Sequence, residues 1–553
     1  MPANLENRGA RTSDRPRIKD TGIAPYSPFG LCWRVAYNLP GMTPFPEKFN
    51  MASYFLDDRI REGMGEKVAV RSRRRTLTYL DVVRESNRVA NVLRDLGVGM
   101  EDRVYICLPD IPEFAPVFFG ALKIGAVVTM GNPRLPPEDY AYYLDYTRSR
   151  VAVVHDSVAD VFRALRPQAR HLKNLLVVGE PVTGLPHYET LVPRAPEELV
   201  WADTTRDDIA CWLFSGGTTG RSKGVVHFHH DFPYNTEHYA KEIVRYRESD
   251  VTLSVPRLYF GYATGTNLMF PFAVGATTAL FEEAPTPETI FENIRAWRPT
   301  VLTNVPTTIG KMVNHADAAS QDLSSLRVVL SAGEYLPPEL YGRWKQTFGA
   351  EILDGIGSAE MFHIYISNRL GDVKPGSLGK IVPGYEARIV DTDGRECAPG
   401  EVGRLHIKGD SAGLMYFGAH EKSKETFAGD WCFTSDLFHV DEQGYFWYEG
   451  RVDDLLKVGG IFVSPIEVEN CLLKHPAVLE AAVAGYTDDQ GLTKPGAFIV
   501  LREGREANGA IAEEIQNFVK ERLAAYKYPR RVDFVASLPK TDRGKIDRKK
   551  LRV

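Results

Sequence analysis

Long hydrophobic runs, paired cysteines, a surplus of one charge sign and low-complexity tracts are all missing from this sequence. Each absence removes a class of protein. The longest mostly apolar stretch, residues 269–281, contains Pro271 and Gly275 and is shorter than the roughly 20 residues a spanning helix needs. No membrane partner is expected. The six cysteines, Cys32, Cys107, Cys211, Cys397, Cys432 and Cys471, stand singly, with no CxxC pair and no disulfide-framework spacing, which fits a reducing, cytoplasmic setting. Lys and Arg total 67 against 72 Asp and Glu, a formal charge of -5, so bulk attraction to nucleic acid or an acidic membrane is not expected. No repeat at a solenoid-like period is present. Residues 1–20 mix Arg8, Arg11, Arg15, Arg17 and Lys19 with Glu6, Asp14 and Asp20, and no apolar core follows, so neither a secretory signal nor a typical transit peptide is readable.

What is there is the balance of an ordinary globular chain: 44% hydrophobic and 25% charged residues over a length of 553. That length is several times the usual domain of about 100–200 residues, so at least two domains are expected. From about residue 46, short β-type apolar runs alternate with helical periodicity, which argues for layered α/β structure. Candidate strands at 104–108, 151–155, 175–179, 211–215, 251–255, 301–304, 328–331 and 352–354 are followed by loops. Loops at the carboxyl ends of such strands are where open α/β sheets place ligands. Between residues 371 and 450 the pattern changes to short strands and turns, which predicts a β-rich subdomain. After Gly450 a compact segment begins, with a helix capped by Ser464, Pro465 and Glu467, strands near 481–484 and 497–501, a helix over 511–523 and a strand at 532–535. The expected organisation is a flexible leader over 1–45, a large N-terminal domain over 46–450, and a small α+β C-terminal domain over 451–553.

The strand expected at 211–215 runs into Ser-Gly-Gly-Thr-Thr-Gly-Arg-Ser-Lys-Gly, residues 215–224. Gly216, Gly217, Gly220 and Gly224 free the backbone to wrap an anion. Ser215, Thr218, Thr219 and Ser222 supply hydroxyls, and Arg221 and Lys223 bring positive charge. A polyphosphate suits such a loop. It is not a Walker A loop, because Lys223 follows Ser222 rather than glycine and no Ser or Thr succeeds it.

This loop resembles the phosphate loop of the adenylate-forming superfamily of acyl- and aryl-CoA ligases, luciferases and peptide-synthetase adenylation domains. Further motifs follow in that superfamily's order: Gly333-Glu334-Tyr335-Leu336-Pro337, Asp354-Gly355-Ile356-Gly357-Ser358-Ala359-Glu360, Thr434-Ser435-Asp436, Gly450-Arg451-Val452-Asp453-Asp454 and Pro539-Lys540-Thr541-Asp542-Arg543-Gly544-Lys545-Ile546. The resemblance runs from about residue 46 to the C-terminus. It implies that Gly333, Glu334, Tyr335 and Leu336 line one wall of an adenine site and Asp354, Gly355 and Ile356 the other, with Gly357 and Ser358 also at the nucleotide. It implies ATP and coenzyme A as substrates and Mg²⁺ held by Glu360, a hard oxygen ligand for a hard ion. Asp436 is placed at the ribose hydroxyls, and Arg451 at the ribose or phosphate. Lys545 resembles the superfamily's adenylation lysine, suited to bridge the attacking carboxylate and the α-phosphate by charge alone. The tail around it is basic throughout, and only the PKTxxGKI context singles it out. Asp453 stands at the superfamily's hinge, with Lys457, Gly459 and Gly460 along an implied thiol tunnel.

Several segments resemble the benzoate-CoA ligase branch in particular, among them Ser331-Ala332-Gly333-Glu334-Tyr335, Met361-Phe362-His363-Ile364 and Asp139-Tyr140-Ala141-Tyr142-Tyr143-Leu144. An acyl pocket built from Tyr262, Ala263, Gly333, His363 and Ile364 is implied, short and partly aromatic, for a compact carboxylate such as benzoate or a substituted benzoate. The implied activity is an AMP-forming acid–thiol ligase, acting as a monomer or homodimer. Two positions depart from the pattern. Ala359 replaces the usual Thr, whose hydrogen bond to a charged phosphate is worth about 1.5–3 kcal/mol. Thr264 stands where a leucine-bearing Tyr-Gly-Leu-Gly pattern is usual and is expected to alter pocket shape and polarity, which leaves a small aliphatic, branched or hydroxy acid open. A catalytically impaired nucleotide-binding homologue is the alternative that Ala359 supports. His227, His229 and His230 lack an acidic or Cys partner at metal spacing in the sequence, and the tyrosines at 140, 142, 143 and 146 are read as helix packing.

Overall fold

The computed structural model describes residues 45–551 apart from 217–220, 430, 459–460, 490–491 and 541–545. The expected leader, except for Phe45, therefore lies outside the described residues, as do Gly217, Thr218, Thr219, Gly220, Gly459, Gly460 and Lys545. From Phe45 onward the chain forms one compact unit, with Phe45 itself buried beside Phe49 and Tyr54.

Two α/β sheets make the platform. In the first, the order is Met415–Tyr416, Lys223–Phe228, Ile209–Ser215, Val127–Met130, Arg103–Cys107, Val151–His155 and Asn174–Val178. Its last five strands run parallel, while Lys223–Phe228 and Met415–Tyr416 add antiparallel at one edge. The second has the order Lys380–Ile381, Ile364–Ser367, Ile352–Gly357, Val328–Ser331, Val301–Asn304, Val251–Ser254, Thr277–Ala279, Val68–Arg71 and Thr76–Thr78. Parallel strands are covered on both faces by their crossover helices, so they read as unbroken apolar runs. Accordingly every residue of Val127–Met130 and Val328–Ser331 is buried.

Helix starts follow local chemistry. Thr78 caps Tyr79–Asp95 in a reciprocal box with Asp81, which satisfies backbone N–H groups that have no partner within the helix. One expected strand is longer than its sequence signal. The run expected at 352–354 continues to Gly357, where it pairs antiparallel with Ile364–Ser367. A Cβ on Gly357 would lie 2.4 Å from the His363 carbonyl oxygen, so glycine permits a backbone approach that a side chain would block. That approach sets the end of the adenine-type motif directly against His363.

The β-rich stretch forms a five-stranded sheet of Glu386–Val390, Gly403–Lys408, Trp431–Val440, Phe427–Ala428 and Phe446–Arg451. Beyond it, Pro465–Leu473 starts at Ser464, whose hydroxyl accepts from the Glu467 amide at 3.3 Å. Strands Val478–Thr487, Thr493–Leu501 and Arg531–Phe534 then form the C-terminal sheet. Val468, Leu472, Val483, Ile499, Ile515 and Val519 give this part its own core. The helix expected over 511–523 begins earlier, at Gly509, because Asn508 caps it through the Ile511 amide. Among the described residues no helix is long and apolar enough to cross a membrane.

The platform also buries a charge pair that sequence periodicity does not show. The Lys123 side chain is fully buried, with Nζ 3.0 Å from Asp57 Oδ1 and 2.9 Å from Asn87 Oδ1. Burial disfavours both charges, pushing the Asp57 carboxyl up and the Lys123 amine down, and each offsets the other. Removing one partner leaves the other uncompensated. Lys123→Met is expected to destabilise the protein by about 3–5 kcal/mol, with Lys123→Met/Asp57→Leu recovering most of the loss; denaturant titration of both variants checks this.

Candidate functional site

The two α/β sheets, the β-rich sheet and the C-terminal part converge on a cleft of about 1820 Å³. Its lining includes Ser215, Gly216, Lys223, Tyr262, Gly333, Glu334, Tyr335, Gly355, Ile356, Gly357, Ser358, Glu360, His363, Ile364, Asp436 and Arg451. Segments hundreds of residues apart in sequence therefore share one wall system.

The segment expected to wrap an anion is flanked by Ser215 and Lys223, which face each other across an antiparallel pair. Its base is held by the tyrosines of helix Pro137–Thr147. Tyr142 donates through its hydroxyl to the Ser222 carbonyl at 2.8 Å, and its ring lies 4.7 Å beneath the Arg221 guanidinium. Tyr146 accepts from the Gly224 amide at 3.0 Å and donates to the Phe417 carbonyl at 2.6 Å. The two rings stack at 5.3 Å. Tyr140 belongs to the core, as helix packing predicts. For Tyr142 and Tyr146 that reading is incomplete, because their hydroxyls reach the loop. Their spacing of four places both on one helix face, but only the fold shows what that face meets.

Glu360 lines the cleft from the turn Ala359–Met361. Its Oε1 accepts from the Tyr416 hydroxyl at 2.7 Å, and the expected role of Glu360 leaves Tyr416 unnoticed. Ala359 itself is held through its carbonyl, which accepts from His227 Nε2 at 2.7 Å. His227 in turn faces Asp231 Oδ2 through Nδ1 at 2.7 Å, and both side chains are fully buried. Asp231, four residues on, is the acidic partner missing from the sequence reading. His229 Nδ1 accepts from the Met51 amide at 3.2 Å, and burial lowers its imidazole to about 3. His230 Nε2 lies 3.2 Å from Asp231 Oδ1, so His227 and His230 share that carboxylate while His229 packs elsewhere.

On the expected adenine side, Glu334 Oε2 accepts from the Thr307 amide at 2.9 Å. Gly333, Tyr335 and residues 355–358 line the cleft, whereas Asp354 is only 6% exposed and stands behind that wall. Burial pushes its carboxyl up to about 8. Its own carbonyl accepts from the Asn368 side chain at 3.0 Å, anchoring the strand end. Asp436 and Arg451 are cross-strand partners, with Arg451 Nε 3.8 Å from Asp436 Oδ1. Asp453 begins no strand; it lies in the turn Val452–Asp454 that leaves the β-rich sheet. Lys457 is exposed on the hairpin strand Leu456–Val458 and does not line the cleft.

Of the residues expected to form an acyl pocket, some line the cleft and some do not. Tyr262, His363, Ile364 and Gly333 line the cleft, but Ala263 is fully buried and does not. Ala263 follows Tyr262 in helix Gly261–Thr264, and the 100° step of a helix turns the next side chain away. Thr264 is also corrected. Its hydroxyl donates to the Leu258 carbonyl at 2.7 Å, with the Phe260 carbonyl at 3.0 Å. It adds no polarity to the cleft. His363 donates from Nε2 to the Tyr262 carbonyl at 3.0 Å and packs edge-on to Phe270 with ring centres 4.8 Å apart. A Cβ at Gly265 would stand 2.5 Å from this imidazole. Burial lowers His363 to about 4, so its ring is neutral at neutral pH.

The C-terminal part closes one side through Glu469 and Arg548, both cleft-lining. Arg548 Nη2 donates to both Glu469 carboxylate oxygens at 2.8 Å.

This arrangement has counterparts among known proteins. The family model described as AMP-binding enzyme matches residues 56–417, and that of the AMP-binding enzyme C-terminal domain matches residues 467–545. A benzoate–CoA ligase of Thauera aromatica is 42% identical over 93% of this chain and 98% of its own length. The crystal structure of the anthranilate CoA ligase AuaEII in complex with anthranoyl-AMP is 40% identical, with a TM-score of 0.88 over 92% of this chain and 97% of that one. A benzoate CoA ligase from Burkholderia xenovorans LB400 is likewise 40% identical, with a TM-score of 0.85 over 91% of this chain and 100% of that one. With both family models matched in order and the shared motifs lining one cleft, the chain belongs to the AMP-binding enzyme family, the adenylate-forming superfamily.

Proposed function

We propose that this protein is an AMP-forming acid–CoA ligase for a small aromatic carboxylate, benzoate or a simply substituted benzoate. The observation that carries this reading is a single cleft that joins the anion-loop strand ends, Glu360, and a pocket of Tyr262, His363 and Ile364. The names of the benzoate and anthranilate ligases it resembles support the same substrate class.

In the first half-reaction a carboxylate oxygen attacks the α-phosphorus of ATP, and the bond to the β-phosphate bridging oxygen breaks. The acyl-adenylate forms and pyrophosphate leaves. In the second, the thiol of CoA loses its proton, its sulfur attacks the acyl carbon, and AMP departs as the acyl–oxygen bond breaks. Charge placement and positioning dominate such phosphoryl-centre chemistry. Lys223 and the loop backbone ends face the phosphates, Asp436 and Arg451 serve the ribose side, and Tyr335 with residues 355–357 flank the base. Lys545 is assigned to the adenylation step, and Asp453, Lys457, Gly459 and Gly460 to the exchange between half-reactions.

Glu360 fits a magnesium ion. Tyr416 occupies one of its oxygens, which leaves the other for the metal, and a single carboxylate plus substrate phosphates is a usual ligand set. When bound, the ion supplies charge neutralisation at the phosphates.

The neutral His363 and the buried Tyr262 backbone give the acid pocket little net charge. A planar ring is stabilised there by burial and aromatic contact. Tyr416 and His227 hold the turn without a threonine hydroxyl, so Ala359 removes one phosphate contact worth about 1.5–3 kcal/mol and leaves the placement of Glu360 intact.

Pyrophosphate release measured with a panel of acids tests the reading. Benzoate and aminobenzoates are expected to exceed small branched acids, and absence of acid-dependent release with every acid would overturn it. The tyrosine support makes a finer prediction. Tyr142→Phe and Tyr146→Phe each remove a hydrogen bond of about 0.5–1.5 kcal/mol at the loop base. Steady-state kinetics should show KM for ATP raised by about two- to tenfold, with KM for the acid unchanged.

A further inference from the structure

The turn that carries Glu360 is strained. Phe362 adopts φ 67° and ψ -58°, a conformation that costs a bulky L-residue of order 1–3 kcal/mol and persists only where its surroundings over-determine it. The residues on either side of this kink both line the cleft, Glu360 before it and His363 after it.

The surroundings do over-determine it. The carbonyls of Ala359, Glu360 and Met361 each have a donor: His227 Nε2 at 2.7 Å, the Gly413 amide at 2.8 Å and the Ser411 hydroxyl at 2.8 Å. The Phe362 ring packs against Phe232, and His363 Nε2 is fixed on the Tyr262 carbonyl. Of these donors His227 is the one that ties the turn to the phosphate loop, because it lies on Lys223–Phe228, the strand by which that loop returns. Its imidazole is oriented by Asp231 Oδ2, which also accepts from the Phe228 amide at 3.1 Å. Neither His227 nor Asp231 lines the cleft, so neither touches a substrate held there.

We propose that the buried His227–Asp231 pair is a positioning device for the strained turn at residues 359–363. Through that turn it sets Glu360 against the nucleotide phosphates and His363 against the carboxylate's ring. One element thereby fixes the two ends of the adenylation reaction relative to each other. Misplacing reacting groups by about 1 Å can cost on the order of a hundredfold in rate, so loss of the pair should be visible in both substrates at once. This inference rests on the proposed ligase activity.

The test compares His227→Leu, His227→Gln and Asp231→Asn in the full chain. Glutamine keeps an amide N–H that reaches the Ala359 carbonyl; leucine does not. The expected result is that His227→Leu lowers kcat/KM by about tenfold to a hundredfold and raises KM for ATP and for the aromatic acid together. His227→Gln should recover to within about threefold of the parent, a deviation of less than 1 kcal/mol. Asp231→Asn should fall between them. Calorimetric affinities for ATP and for the acid, each measured alone, should move in the same order as the kinetic constants. Unchanged constants in His227→Leu would overturn the proposal, as would a Gln variant no better than Leu or an effect confined to one substrate. If His227→Leu does not fold, His227→Asn, too short to reach the carbonyl, is compared with His227→Gln by the same criteria. An inactive parent protein indicts the ligase reading instead; an active parent with indifferent variants indicts only the positioning role.

Discussion

The antiparallel pairing of Ile209–Ser215 with Lys223–Phe228 is the constraint on which the site depends. At one end it sets Ser215 opposite Lys223, the two flanks of the segment proposed to hold the phosphates. At the other it carries His227, whose imidazole grips the turn bearing Glu360 and His363. Tyr142 and Tyr146 brace the loop end from a separate helix. A short hairpin at the edge of a parallel sheet thus sets positions in three parts of the cleft. This suits an enzyme that must hold a polyphosphate and a carboxylate in register, because positioning is the larger share of what such a protein contributes.

Charge is distributed unevenly along the cleft, and burial is the cause. Lys223, Glu360, Asp436 and Arg451 line the arm assigned to the nucleotide. In the pocket expected to take the acid, burial lowers His363 to about 4 and keeps its ring neutral. An aromatic ring loses little there, since no ionised group has to be desolvated to admit it. The chain's slight overall acidity says nothing of this local pattern. Net charge is a sum over the surface, and the site is set by a few groups whose solvation the fold controls.

Much of this was legible in the sequence, for physical reasons that can be named. Buried parallel strands must be continuously apolar, so Val151–His155, Val301–Asn304 and Val328–Ser331 stand where periodicity puts them. The helix start at Ser464 follows from capping chemistry that acts over three residues. Ser215, Gly333, Glu360 and Arg451 converge because each lies at a strand end or in the turn after one, whereas Asp436 faces the cleft from within Trp431–Val440. What stayed hidden depends on contacts between distant segments. The direction of Ala263, the inward hydroxyl of Thr264, the loop-facing hydroxyls of Tyr142 and Tyr146, and the Asp231 partner of His227 are decided by packing rather than by spacing. The strand through Gly357 outran its apolar signal because an absent side chain, not a present one, allows the backbone approach.

The central claim is that this cleft activates a carboxylate as its adenylate before any thiol is engaged. Exchange of labelled pyrophosphate into ATP, measured without CoA and with benzoate present or absent, tests it most directly. Exchange is expected to require the aromatic acid and to proceed in the complete absence of CoA. Exchange that is independent of the acid, or that appears only when CoA is added, would contradict it.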